Sequence, residues 1–374
     1  MVNLNFMRKK MLSKHQTVIF LILSLPMLTS CNSASEETYK FGFVLPLTGT
    51  NTFYGQFAKT GAELAIEDIN TAGGINGKQV IGIYEDSGGD KTRATNSAQK
   101  LAQIDEVNGL FTVTGPMGGA ISPIGEENQI PTIYNAATDA FAENKKYVFK
   151  DYPDSTDICQ TLMKQAIKDG HQKVALFGTN AEFTQLCNQG MEREQPVTIF
   201  ETYEIGEADF RTQFTKIKNS ETTVLVLYMF SEDCLNAYKQ IRELDMNVTI
   251  YVGFQSLTCG TPEHLQEHSD LFIGAYGSDV ALDETRTDKE FLSFKQRVLE
   301  KGSSQIKGSA MMYDSVRELA FAYEGCEIAE CATNNIRDLQ NYQGMSGLIS
   351  YEGQYVQREV MLLRFEDGTW ISAE

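Results

Sequence analysis

"YGQFAKTGAELAIEDINTAGGINGKQVIGIYED", residues 54–86, decides the fold. Phe57, Ala58, Gly61, Leu64, Ala65 and Ile69 recur at i, i+3, i+4 intervals and lay one apolar stripe along a helix. Gly73-Gly74 then supplies a left-handed stop. The β-rich run QVIGIYED follows, and FGFVLPL (residues 41–47) precedes the helix, so the unit reads strand–helix–strand. Between the first strand and the helix lie Thr48, Thr50, Asn51, Thr52 and the ring of Tyr54. A plain turn needs Gly, Asn or Pro and no aromatic. A ligand site at a strand's carboxyl end, beside the free N–H groups of a helix, uses all of them.

Outward from this unit the rhythm continues. GLFTVT and PTIYN complete a first series of short strands. A second series runs KVALFGT, PVTIFETYEI, TTVLVLYMF, NVTIYVGF and LFIGAYGS, with helical stretches between. Such alternation implies parallel sheets built from βαβ units. The tract KYVFKDYPDST (residues 146–156), with its aromatics, Pro and turn residues, separates the two series. Two doubly wound α/β lobes are therefore expected, and not one eight-fold barrel. A helical block follows over residues 289–302, 311–327 and 334–342, and GLISYEGQYVQREVMLLRFEDGTW alternates like a pair of hairpins.

The amino-terminal end reads as an export signal. Arg8, Lys9, Lys10 and Lys14 form a basic region, and Val18–Leu28 an apolar one too short to span a bilayer comfortably. The ending Leu28-Thr29-Ser30-Cys31 resembles a bacterial lipobox, whose cysteine is diacylated and becomes the new N-terminus. Several acyl chains give stable attachment where one gives only a reversible one. Asn32, in place of an Asp that resembles an inner-membrane retention signal, points to the outer membrane. Removing residues 1–30 takes away four positive charges and no negative ones, so the net charge moves from −18 to −22. So acidic a chain, without a basic stripe, repels phosphate backbones, and no nucleic-acid partner is expected. Six further cysteines, Cys159, Cys187, Cys234, Cys259, Cys326 and Cys331, form an even count in an oxidising compartment and read as disulfides. Fifteen pairings are open; Cys326 with Cys331, five apart around a helix end, is the first choice.

Enzymatic readings find little support. His264 and His268 are four apart on TPEHLQEH, but Thr-Pro-Glu is an ordinary helix start and no third ligand lies near in sequence, so no metal is expected. GPMGG lacks the Lys-Ser/Thr of a phosphate loop. No G-x-S-x-G elbow exists, and with only His171, His264 and His268 in the exported chain a Ser-His-Asp hydrolase is hard to assemble. Neither an enzyme nor a cofactor is expected.

The stretch from Tyr54 to Leu101 resembles the first helix and second βα unit of the type I periplasmic solute-binding proteins, the leucine/isoleucine/valine-binding group of transporter receptors. Gly115-Pro116, NAAT (Asn135–Thr138), VALFGTNAEF ending in Phe183, ADFRTQF (Ala208–Phe214) and MMYDS with Tyr313-Asp314 match in order over nearly the whole exported chain. The resemblance implies two lobes joined by a multi-strand hinge that close on a solute, with an ABC permease as partner and a monomer in solution. It divides the chain into a signal (1–30), a tether (31–38), lobe 1 (39–151 plus 280–344) and lobe 2 (152–279 plus 345–374).

It also implies site residues. The tyrosine at the Tyr54 position lies on the ligand. Ala136 and Thr138 match a loop whose carbonyl and hydroxyl bind the amino and carboxyl groups of an amino acid. Gly119 stands where the family has a carboxylate-binding serine, which leaves Gly118 and Gly119 as backbone donors. Phe183 and Phe230 fall at aromatic pocket positions. Gln255 replaces a glutamate that faces the ligand ammonium, so either another carboxylate serves or the solute has no ammonium. The expected solute is an amino acid, an amide or a related small carboxylate. Two other roles share this fold: an outer-membrane lipoprotein that regulates a cell-wall enzyme, and a sensor subunit.

Overall fold

The computed structural model describes residues 37–373 except 50, 205, 254–256, 258–265, 281 and 283. The signal, Cys31, most of the tether, Gln255 and Cys259 lie outside the described residues. Among the described residues there are two sheets. The first holds β1 (Tyr39–Leu45), β2 (Val80–Asp86), β3 (Gly109–Val113), β4 (Thr132–Asn135) and β5 (Val148–Lys150), in the order 2-1-3-4-5. The second holds β6 (Val174–Thr179), β7 (Ile199–Tyr203), β8 (Val224–Tyr228), β9 (Thr249–Gly253) and β10 (Tyr276–Val280), in the equivalent order 7-6-8-9-10. All of these pairings are parallel, and α-helices supply the crossovers from β1 to β4 and from β6 to β9. Each order places its switch point beside the first strand, between β1 and β3 and between β6 and β8, where doubly wound sheets bind ligands.

The stretch that decides the fold behaves as read. Helix α1 spans Thr52–Thr71, and Gly73 and Gly74 take positive φ of 110° and 77° as the chain leaves it. Its stripe packs on the long helix Ile306–Tyr323, with Leu64, Ala65, Val316 and Leu319 in one core. Gly61 makes that approach possible: a Cβ there would lie 2.1 Å from the Ser309 carbonyl oxygen. The helical block after β10 therefore returns to the first lobe.

The last five strands divide between the two sheets, and not at the point expected. β11 (Tyr342–Gly344), β12 (Gly347–Glu352) and β13 (Tyr355–Arg358) extend the first sheet, with Tyr355 beside Lys150. Only β14 (Val360–Glu366) and β15 (Thr369–Ser372) join the second, through β10. β12 and β13, which lie beyond the division expected at 344/345, thus pair in the first sheet and not in the second. The cause is burial: Ile349, Tyr351 and Val356 point into the first core, and Asp314 accepts the backbone N–H groups of Met345 and Ser346 at 2.6 and 2.7 Å.

Cys326 and Cys331 are bonded as expected, and Cys159 pairs with Cys187, tying α4 (Ser155–Lys168) to α5 (Glu182–Glu192). Cys234 is also disulfide-bonded.

Candidate functional site

The corner after β1 is held by one carboxylate. Asp86 accepts the N–H groups of Leu47 (2.9 Å), Thr48 (3.0 Å) and Gly88 (2.8 Å), the Thr48 hydroxyl, and Arg93 at 3.1 Å. Burial alone would raise its pKa, but these bonds outweigh burial and hold the carboxyl at about 2. Thr52 donates to the Gly49 carbonyl at 2.7 Å, and Asn51 takes a left-handed φ of 64°. Thr48, Asn51 and Thr52 therefore build the turn. Tyr54, 8 % exposed, stands edge-on to Phe53 and Phe57 in the first turn of α1.

The loop after β4 carries Ala136 and Thr138. The Tyr134 hydroxyl donates to the Thr138 carbonyl at 2.9 Å and fixes the loop. The Thr138 hydroxyl donates to Glu182, the first residue of α5, so it reaches from the first lobe to the second. Ala137 packs into the second lobe's cluster with Ile158, Tyr228, Phe183 and Phe230. Phe183 and Phe230 meet edge to face at 5.5 Å, and Tyr228 lies 5.9 Å from Phe183. Tyr152 links the halves: burial first, then Asp279, Tyr228 and Tyr54, push its hydroxyl well above the usual phenol range. Its hydroxyl donates to Asp279 at 3.0 Å, and Lys307 pairs with the other oxygen at 3.2 Å.

Gly118 differs from expectation. The Gly118 N–H donates to the Thr114 carbonyl at 2.9 Å inside the start of α3 (Gly115–Glu127), so it is not a donor aimed at a solute. The ring of Phe141 lies over both glycines: a Cβ on Gly119 would come within 2.9 Å of it. The missing side chains make room for this ring. Phe141, Glu182 and Tyr152 escaped sequence reasoning; the glycine pair, which needs a bulky neighbour to fill its space, was a signal for the first. A cavity of about 430 Å³ lined by Gln266, Phe272 and Phe365 sits at the amino-terminal end of β10, opposite these loops, and holds none of the candidate residues. His268 faces Arg242 at 3.2 Å, and His264 lies outside the described residues.

Two doubly wound sheets, with Tyr54 in the first turn of α1, Phe183 in the first turn of α5, and Thr138 and Phe230 on loops, all beyond the carboxyl ends of strands, have the layout of a two-lobed binding protein. Residues 38–352 match the periplasmic binding protein family, and the chain belongs to it, in its type I branch. Membership places it among binding proteins and not among enzymes. A Leu/Ile/Val-binding protein homolog 3 of Brucella melitensis biotype 1 is 26% identical over 234 residues, covering 59% of this chain and 62% of that protein. The chain spans between 52% and 62% of the length of such curated relatives. Among solved structures, LivJ of Streptococcus pneumoniae in complex with isoleucine has a TM-score of 0.77 at 19% identity, covering 89% of this chain and 98% of its own. A solute-binding protein from R. palustris in complex with 4-hydroxybenzoate also has 0.77 at 19%, covering 90% and 96%.

Proposed function

We propose that the chain is an extracytoplasmic receptor whose lobes close on one small polar solute and deliver it to an ABC permease. The lobes are taken as 39–151 plus 280–358 and 152–279 plus 360–374. Diacylation of Cys31 anchors the monomer, in the outer membrane where there are two membranes. The observation that carries this reading is the meeting of the Thr138 loop with Glu182, Phe183 and Phe230 of the other lobe. A cleft of this kind buries a small solute almost entirely on closure. The solutes of the related structures, isoleucine and 4-hydroxybenzoate, share a carboxylate and an apolar body. Here the apolar body meets Phe183 and Phe230, and Tyr54 lines the other wall. Glu182 supplies the carboxylate that Gln255 lacks, which favours an amino acid over a simple acid.

A thermal-shift screen of leucine, isoleucine, short amides, benzoate, 4-hydroxybenzoate and polyamines tests this. A binder at a hundred times its dissociation constant adds about 2.7 kcal/mol to stability. Tyr54→Ala is expected to weaken it by more than ~1 kcal/mol, by removing a buried contact. Glu182→Gln is expected to weaken an amino acid and to strengthen benzoate, since a carboxylate beside Thr138 attracts an ammonium and repels an anion. Failure of every compound, with a periplasmic protein co-purifying, would favour the regulatory lipoprotein.

A further inference from the structure

The hinge holds a charge cluster that solute binding does not use. Arg358 ends β13, one residue before the chain crosses between lobes, and its side chain is 1% exposed. Its guanidinium reaches Asp151 at 2.6 Å, Glu318 at 3.1 Å and Asp314 at 3.9 Å, all of them buried. Asp151 begins the first crossing, between β5 and α4, while Asp314 and Glu318 project from the long helix Ile306–Tyr323. Three carboxylates share one cation. If all were ionised, two negative charges would stand uncompensated in the interior, at a cost of several kcal/mol each.

The partners decide which acid keeps a proton. Asp151 takes two arms of Arg358, the Ser315 hydroxyl and the Asn135 amide. Asp314 takes two backbone N–H groups and the Ser346 hydroxyl. Glu318 has the Tyr351 hydroxyl at 2.9 Å and one guanidinium nitrogen that it shares with Asp151. The remaining charged groups nearby are turned elsewhere: Lys150 pairs with Asp139, and Arg317 donates to Tyr313 at 2.8 Å. Tyr342, on β11, is the other ionisable neighbour. Bonds to the ionised form stabilise it, so the acid with the fewest is the one left neutral.

We propose that Glu318 is a neutral acid at neutral pH and that its proton is a hinge lock, whose loss on alkalinisation loosens the crossings at Asp151 and Arg358. Burial, then the charge of Asp151, pushes the Glu318 carboxyl well above its ordinary range, against the pull of Arg358. The sign follows. The folded chain holds this proton more tightly than the unfolded chain, so the contribution of Glu318 becomes more unfavourable as pH rises from the unfolded value towards the folded one.

Glu318→Gln keeps the shape and removes the titration. Denaturant unfolding of wild type and variant is to be compared from pH 5 to pH 9. The expected result is a variant that gains on wild type by up to about tenfold in folding equilibrium constant per pH unit, until the folded pKa is passed. Hydrogen exchange of residues 349–358 should be faster in wild type than in the variant at pH 9, and alike at pH 5. A pH-independent gap, or a variant that loses stability most at high pH, would overturn the proposal. Infrared spectroscopy of the wild type needs no variant to fold: a protonated buried carboxyl at pH 7 that disappears at higher pH is expected, and its absence overturns the proposal equally.

Discussion

Arg358→Leu is expected to cost about 3–5 kcal/mol of stability, the usual loss when one member of a buried ionic group is removed and its partners remain. The leucine fills part of the space, but Asp151, Asp314 and Glu318 then face one another without a cation. Chemical denaturation measures the loss. Its pH dependence identifies the cause. Without the cation the acids bind protons more tightly in the folded chain, so the deficit should shrink as pH falls towards 5. Adding Asp151→Leu should recover part of it, because apolar replacement of a whole buried pair is often neutral. A deficit below 1 kcal/mol would show that the cluster is solvated.

Cys31→Ser is expected to move the protein from the membrane fraction to the soluble one and to abolish acyl labelling. A serine offers no thioether linkage, and what remains of the anchor is an uncleaved apolar stretch, Val18–Leu28, too short for a comfortable span. Among the described residues no helix is long and apolar enough to cross a membrane. Fractionation with and without the substitution decides the point; unchanged membrane retention would contradict lipid anchoring.

Most of the architecture was legible because it rests on local periodicity. The stripe from Phe57 to Ile69, the Gly73-Gly74 stop and the interruption at residues 146–156 each mark an element or a boundary without help from distant residues. The last hairpins were legible as strands but not as to sheet. β12 and β14 alternate alike, and what assigns them is Asp314 and the buried faces of Tyr351 and Val356, which no local pattern announces. The same limit hid the hinge cluster. Asp151 and Arg358 are 207 residues apart, and single acids in so acidic a chain read as solvated face. At the site, the aromatic positions Phe183 and Phe230 come together as a pair, whereas the glycine pair lies under Phe141 and Thr138 reaches a carboxylate of the other lobe. Those partners come from separate elements, so spacing within one motif does not say which residues they are, even where a glycine pair signals a bulky neighbour.

The most direct test of a site shared by two lobes is a calorimetric titration of one binding compound into wild type, Thr138→Ala and Phe183→Ala. The first substitution removes a hydroxyl from the first lobe, the second a ring from the other. A solute enclosed by both should bind more weakly to each variant by more than ~1 kcal/mol, the cost of an unmade buried polar contact or a lost apolar one. A compound that loses affinity with only one of the two, or keeps wild-type affinity with both, would contradict closure of the lobes on a single solute.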